Sequence, residues 1–366
     1  MRDLIAAIFA VVGTVSIWFN FLAYNAIASI ILTRSSLHLG LLSSFTTIFV
    51  AFIARPLGAY VFGMIGDKFS SKTSLVLTLT AMGSSTLLIS MVTRAWYTVY
   101  ELLMLRIIQG MALGGEWAAA SVLAYETIRG GVGRLLTSII QLGVPLGMLL
   151  TTLAVIQWRL AFLTGSLLSL SSAAIILALA RGIRPIEWRP TLSIEDFKRI
   201  LKAVGIKFGE SSSFYVYTSV FLIYVNEHEI PSLITVAATS LLAFTLLISI
   251  ALTRADPARV LIIGYVLFTL VNVLMFRIQP LILFILFGLA DAIAYTPQSL
   301  YLVSLFRSDI RHVGAGVSYH VASSLGGLMT YIIPLLISMY GLRIGFTAIP
   351  ALLVVSCIVS IIALMI

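Results

Sequence analysis

Twelve apolar stretches, each about as long as a bilayer is thick, dominate this chain. They lie near residues 4–32, 40–65, 74–92, 98–125, 135–157, 160–180, 203–225, 232–253, 258–275, 279–305, 313–338 and 343–365. About 20 apolar residues in helical form cross the hydrocarbon of a membrane. A spanning segment must satisfy its own backbone polar groups, so each stretch is expected as an α-helix. Twelve of them use most of a 366-residue chain. Composition agrees: 60% of residues are hydrophobic and only 10% are charged, where a soluble domain carries about a quarter. That leaves too little polar surface to coat a water-soluble fold. The expectation is an all-α polytopic membrane protein set in a lipid bilayer, with short loops. The run from Leu4 to about Leu32 is too long for the apolar core of a signal peptide and reads as the first span.

Charge placement tests this topology. With the N-terminus in the cytoplasm, sixteen of the 23 Lys and Arg residues fall in cytoplasmic segments. Five fall outside (Arg34, Arg94, Arg159, Arg277 and Arg343), and Arg55 and Arg106 lie within helices. This bias is the positive-inside pattern for a cell-membrane protein with both termini cytoplasmic. The inside cations include Arg181, Arg184, Arg189, Lys198, Arg199, Lys202 and Lys207 of one polar segment. That segment suggests six helices in residues 1–181, a cytoplasmic linker over 182–202, and six more in 203–366. The two halves are weakly alike, in Gly13–Phe21 of helix 1 and Gly209–Tyr217 of helix 7, which together with equal six-helix halves suggests duplicated, pseudo-symmetric bundles.

Other classes find no support. The formal charge of +9 comes without a dense basic run interleaved with aromatics, so nucleic acid is not expected as a partner. The one cysteine, Cys357, lies in an apolar stretch, and no Cys/His cluster has metal spacing. No metal and no cofactor are expected. A membrane enzyme would need catalytic residues, yet HExxH, GxSxG, a phosphate loop and paired carboxylates beside a His are all absent.

Ionisable residues within hydrocarbon cost about 2.5–3.5 kcal/mol each on insertion scales, which makes them functional candidates. They are Arg55, Arg106, Glu116, Glu210 and Asp291. Arg106 and Glu116 share helix 4, about 15 Å apart along its axis. Gln109 and Glu116, seven residues apart, fall on one face with Arg106 nearby, beside the Gly110-x-x-x-Gly114 pair that permits close packing. Arg106 either binds a substrate carboxylate, orders helix 1, or satisfies carbonyls of a broken neighbour; Glu116 titrates. Arg55 precedes Pro56, which removes a backbone donor, so Arg55 serves the freed carbonyls or holds an anion. Asp291, in the middle of helix 10, either titrates or pairs with a base. Glu210, one turn inside Lys207, snorkels, joins a gate salt bridge, or acts in transport. Asn20 and Tyr24 of helix 1, Ser211, Ser212, Ser213, Tyr215 and Tyr217 of helix 7, Gln298 and Tyr319 supply hydroxyl and amide groups along the same path, or serve as interhelical glue. His38, His228 and His312 are expected in solvent; His320 titrates or is a satisfied interhelical residue.

The segment Arg55-Pro-Leu-Gly-Ala-Tyr-Val-Phe-Gly63-Met-Ile-Gly66-Asp67-Lys68-Phe-Ser-Ser-Lys72 resembles the loop 2–3 signature of the major facilitator superfamily. Arg106-Ile-Ile-Gln109-Gly110-Met-Ala-Leu-Gly114-Gly115-Glu116-Trp117 resembles the helix 4 signature of its metabolite:proton symporter branch, whose members carry organic acids and betaine-type osmolytes. Gln141–Gly147, Trp158–Phe162 and Arg311–Tyr319 are similar to the same branch. The resemblance implies a twelve-helix transporter. It also implies a cytoplasmic gate of Gly63, Gly66, Asp67, Lys68, Lys72, Arg311 and Gly314, in which Asp67 meets the amides at the start of helix 11 near Gly314. This sequence departs from the branch at Ile17 and Asn20, where helix 1 carboxylates are usual, and at Ser70 and Ser71, where Gly and Arg are usual.

The function expected is secondary transport of a small solute by a monomer, with protons as the coupling ion through Glu116 or Asp291. The intramembrane cations Arg55 and Arg106 point to a small organic anion as substrate. An uncoupled facilitator or exporter, and a nutrient sensor built on a transporter scaffold, are the alternatives.

Overall fold

The computed structural model describes residues 2–33, 40–92, 98–154, 157–180 and 192–366. Linker residues 182–191, the cations Arg34, Arg94, Arg181, Arg184 and Arg189, and His38 lie outside these. The described chain is helical: α1 (Arg2–Thr33), α2 (Gly40–Lys68), α3 (Ser71–Met91), α4 (Thr98–Thr127), α5 (Gly130–Ile139), α6 (Gly143–Ala154), α7 (Trp158–Leu179), α8 (Ile194–Tyr215), α9 (Ile230–Ala251), α10 (Pro257–Leu274), α11 (Pro280–Tyr295), α12 (Gln298–Ser304), α13 (Arg311–Tyr340) and α14 (Gly345–Met365). Two pairs form single passes, α5 with α6 and α11 with α12. Eleven passes are long and apolar enough to cross a membrane among the described residues. The run from α8 through a π-turn (Val216–Val220) and a 3-10 turn (Phe221–Tyr224) completes the twelve.

The helix starts follow local chemistry. Ser70 accepts a hydrogen bond from the Thr73 amide (3.1 Å) and begins α3. Ser193 and Asp196 form a reciprocal capping box that begins α8. Asp256 caps α10, where Pro257 sits at a position with no need of a donor. The Ser193 box has a consequence. Charged residues expected as linker through 202 are helical from Ile194 onward, so Lys207 lies about 20 Å along a continuous helix and is only 1% exposed. It is a buried cation, where the sequence suggests a cytoplasmic-side charge at the helix end.

The chain forms two compact units. The first contains Met1–Arg129, Leu142–Thr191 and Arg307–Val317; the second contains Gly130–Gln141, Leu192–Phe306 and Ser318–Ile366. In the first, α2 and α4 approach backbone to backbone. A Cβ on Gly114 would overlap the Arg55 carbonyl, one on Gly110 the Ala51 carbonyl, and one on Gly58 the Met111 carbonyl. Small residues thus bring the two helices together, as membrane helices lacking a hydrophobic drive require. In the second, Gly209 of α8 lies against Cys357 and Ser356 of α14. The Gly209 amide donates to Ser360 Oγ (2.8 Å). Tyr217 stacks on Phe287 with ring centroids 4.6 Å apart.

Gly114→Ala is expected to lose about 1–3 kcal/mol through overpacking, read as a lower melting temperature of the detergent-solubilised protein. Gly131→Ala, where the nearest atom to an added Cβ is 3.7 Å away, is expected to leave it near the wild-type value.

Candidate functional site

In the first unit, polar groups of α1, α3 and α4 form one network. Arg106 Nη1 donates to Gln109 Oε1 (2.7 Å) and its Nη2 to Asn25 Oδ1 (2.8 Å). Gln109 Nε2 donates on to Thr86 Oγ1 (2.8 Å). The guanidinium also lies 4.2 Å from the Tyr24 ring centroid and 4.6 Å from that of Phe21. On α1 the Arg106 guanidinium meets Phe21, Tyr24 and Asn25. Arg55 is fully buried among the rings of Trp18, Phe21 and Phe52, at 5.5, 5.8 and 5.3 Å. Burial of a cation on aromatic faces is compensated through the ring quadrupoles.

Glu116 is held apart from this network. Thr14 Oγ1 donates to its Oε1, while its Oε2 has no hydrogen-bond partner. Asn20 also stands apart. Its Nδ2 donates to Gly165 O (3.2 Å) and Ser169 Oγ (3.1 Å) and ties α1 to α7. The position that carries a carboxylate in the branch therefore serves helix packing here.

In the second unit, Lys207 and Glu210 of α8 form a buried ion pair. Lys207 Nζ donates to Gln298 Oε1 (3.1 Å), and Gln298 Nε2 reaches Glu210 Oε2 (3.4 Å) and Tyr265 Oη (3.4 Å). The ammonium lies 4.0 Å from the Tyr319 ring centroid and 5.1 Å from that of Tyr295. Those two tyrosines share a hydrogen bond of 3.1 Å. Asp291 is 1% exposed, and neither of its carboxylate oxygens has a hydrogen-bond partner. It feels Glu210 and Lys207 electrostatically.

The break between α11 and α12 positions these groups. Pro297 interrupts the helix between Tyr295 and Gln298. The Tyr295 carbonyl left at the break accepts from Gln141 Nε2 (2.8 Å), which satisfies irregular backbone inside protein. Gln141 itself sits in the 3-10 turn between α5 and α6. Tyr215 is outside the cluster; it is partly exposed and packs edge-on against Phe214 at 5.5 Å. His320 is fully buried beside the Tyr319 ring.

A third cluster joins the end of α2 to the start of α13, within the first unit. Asp67 Oδ1 accepts from the His312 amide (2.8 Å) and Oδ2 from the Val313 amide (3.0 Å). A carboxylate here meets the positive end of a helix. The amides used are those of His312 and Val313; the Gly314 amide donates to Ile310 O instead. His312 is buried, contrary to the sequence expectation. Its Nδ1 lies 2.8 Å from Asp67 Oδ1 and its Nε2 lies 2.8 Å from Ser71 Oγ. A Cβ on Gly66 would press on this ring, and one on Gly63 would sit 3.0 Å from the Val313 backbone. Arg311 pairs with Glu126 and lies 5.4 Å from the Tyr125 ring centroid. Lys68 is exposed and Lys72 half-buried. The order Asp–His–Ser is that of a hydrolase relay, but these side chains are 2%, 4% and 4% exposed. They form a closed packing element with no path for a substrate.

Two residues are more buried than the sequence suggests. Lys207 counts there as a cation at the cytoplasmic end of its helix; the Lys–x–x–Glu spacing, which puts Lys207 and Glu210 on one helical face, is the signal of the buried pair. His312 was assigned to solvent because it sits at a helix start. Its signal was Ser71, a short side chain where the branch has a long cation.

Eleven candidate membrane spans among the described residues, with buried charge networks in each unit, define a polytopic membrane protein. The family model of the Major Facilitator Superfamily matches residues 10–329. The chain belongs to that superfamily. It is 28% identical to the shikimate transporter of Escherichia coli (strain K12), over 89% of this chain and 85% of that one. It is also 28% identical to a putative metabolite transport protein of Haemophilus influenzae, over 91% and 87%. A crystal structure of the human organic anion transporter MFSD10 (TETRAN) shares the fold, with a TM-score of 0.80, 12% identity, and 98% and 99% coverage.

Asp67→Ala leaves the His312 and Val313 amides without an acceptor. A loss of about 1–3 kcal/mol is expected, read as a melting temperature below that of Asp67→Asn, which keeps one acceptor oxygen.

Proposed function

We propose that the chain is a proton-coupled symporter of a small organic acid, working by alternating access in a cell membrane with both termini in the cytoplasm. Residues 1–181 and 203–366 would be its two six-helix bundles, joined by the linker 182–202. The observation that carries the coupling is the state of the buried carboxyls. Glu116 has one oxygen without a hydrogen bond and Asp291 has two. A buried charge is tolerated only when paired, so each of these is a place for a proton that comes and goes. Arg106 and Arg55 supply the buried positive charge that an organic anion requires, and the shikimate transporter among the relatives supports that substrate class. The Asp67–His312–Ser71 contact is the cytoplasmic latch that forms and breaks in each cycle.

One observation favours an uncoupled facilitator instead. Helix α1 has Ile17 and Asn20 where the branch carries carboxylates, and Asn20 is occupied with Gly165 and Ser169. Uptake into proteoliposomes of shikimate and a panel of small carboxylates and betaines, with and without an imposed pH gradient, separates the readings. Accumulation that collapses with the gradient is expected. Equilibration indifferent to the gradient would establish a facilitator, and binding without flux a sensor.

A further inference from the structure

Two carboxylates and one ammonium are buried together in the second unit. Lys207 is the one buried Lys or Arg of that unit among the described residues. Glu210 holds it directly, and Gln298 bridges the two. Neither carboxylate oxygen of Asp291 has a hydrogen-bond partner. Asp291 lies four residues before Tyr295 on α11, so the two share a helical face, and the Tyr295 ring is one of the two beneath the Lys207 ammonium. Asp291 therefore faces the cation that Glu210 occupies.

Among the described residues, the surrounding elements add no further full charge to this cluster. From α8 come Lys207 and Glu210; from α10 comes Tyr265, whose hydroxyl donates to Ile206 O. Helix α12 gives Gln298, and α13 gives Tyr319 with His320 next to it. From α14 the nearest titratable group is Cys357, which lies 3.9 Å from Ser213 Oγ. Helix α9 has no Asp, Glu, Lys or Arg anywhere along it. Arg134 of α5 is committed to the Leu252 and Ala255 carbonyls.

We propose that Asp291 carries the coupling proton and that Lys207 is the positioning residue that governs its binding, by passing between Glu210 and Asp291. This rests on the proton-coupled reading above and narrows it from two carboxyls to one. In the structure Lys207 sits with Glu210, which is the arrangement for a protonated, neutral Asp291. When the proton leaves, the ammonium turns toward Asp291, and the Tyr319 and Tyr295 faces support it on the way. The step is a proton association alone. One O–H bond forms on an Asp291 oxygen, with the proton taken from water on one side of the membrane and returned to water on the other. Glu116 has no such partner to move: its Oε1 contact is the Thr14 hydroxyl, which a glutamine would keep.

The test is pH-difference infrared spectroscopy of the full chain in lipid without substrate, following the C=O band of a protonated carboxyl. The band is expected to grow on acidification of the wild type, to vanish in Asp291→Asn and to persist in Glu116→Gln. In Lys207→Met the part of the band that an added Asp291→Asn removes is expected at higher pH by about one unit or more, because a cation no longer opposes protonation; the remainder belongs to Glu210, which loses its partner, and Lys207→Arg should return the Asp291 part toward wild type. A wild type without the band, a band that survives Asp291→Asn, or an Asp291 part unmoved in Lys207→Met would overturn the proposal. Should Asp291→Asn fail to fold, Asp291→Glu decides, since it is expected to move the band's frequency and an unmoved band would overturn the proposal. Gradient-driven shikimate uptake, measured in the same vesicles, tells the two readings apart. The expected bands with no coupled flux would sink the symport reading and leave the proton site standing.

Discussion

A charge placed in hydrocarbon has to be compensated by the protein itself, and most of this molecule's polar architecture follows from that. Arg106 is met by Gln109, Asn25 and the Tyr24 ring, Arg55 by three aromatic faces, and Lys207 by Glu210, Gln298 and two tyrosines. None of these cations relies on a single carboxylate alone. Distributed compensation of this kind tolerates rearrangement, because an ammonium leaving one partner remains supported by rings that accept it from many directions. A simple buried ion pair would be held too tightly to cycle, since separating it leaves two uncompensated charges.

The same constraint sets the helix packing. Carbonyls and amides are satisfied within helices, so what varies is how closely the helices approach. Gly58, Gly110 and Gly114 let α2 and α4 touch through their backbones. That contact places Arg55 of α2 and the Arg106–Glu116 face of α4 against α1. Where regular helix fails, a side chain takes over: Gln141 satisfies the Tyr295 carbonyl at the Pro297 break. The break in turn allows Asp291, Tyr295 and Gln298 to serve one cluster. Helix packing and the buried charge network are therefore two results of one requirement.

Much of this was legible in the sequence because hydrophobicity acts along the chain. The length of each apolar run fixes a membrane pass, and Arg106, Glu116, Glu210 and Asp291 stand out against their apolar neighbours. What was not legible depends on where a helix begins and on what lies across from it. Lys207 looks like a cytoplasmic-side charge at a helix end until the Ser193 capping box extends α8 back to Ile194. His312 looks solvated until Asp67 and Ser71, some 240 residues earlier in the chain, close around it. Both depend on contacts that periodicity cannot report.

The departures from the branch pattern acquire a common sense in this light. Losing an acidic residue from α1 removes a site for a proton but also removes a buried charge that needed a partner. Asn20 fills its place with two neutral hydrogen bonds to α7, which tie α1 to that helix. A carboxylate that must gain and lose a proton is better placed where a cation can respond to the change. The second unit offers that arrangement, with Lys207 beside one hydrogen-bonded carboxylate and within electrostatic reach of another that has no hydrogen bond. At the α2 end, Ser71 likewise removes a long cation, and His312 takes the space with hydrogen bonds to both Asp67 and Ser71. In both places a charge usual in the branch has given way to a neutral side chain with hydrogen-bond partners of its own, so the chain carries fewer permanent charges at these two positions.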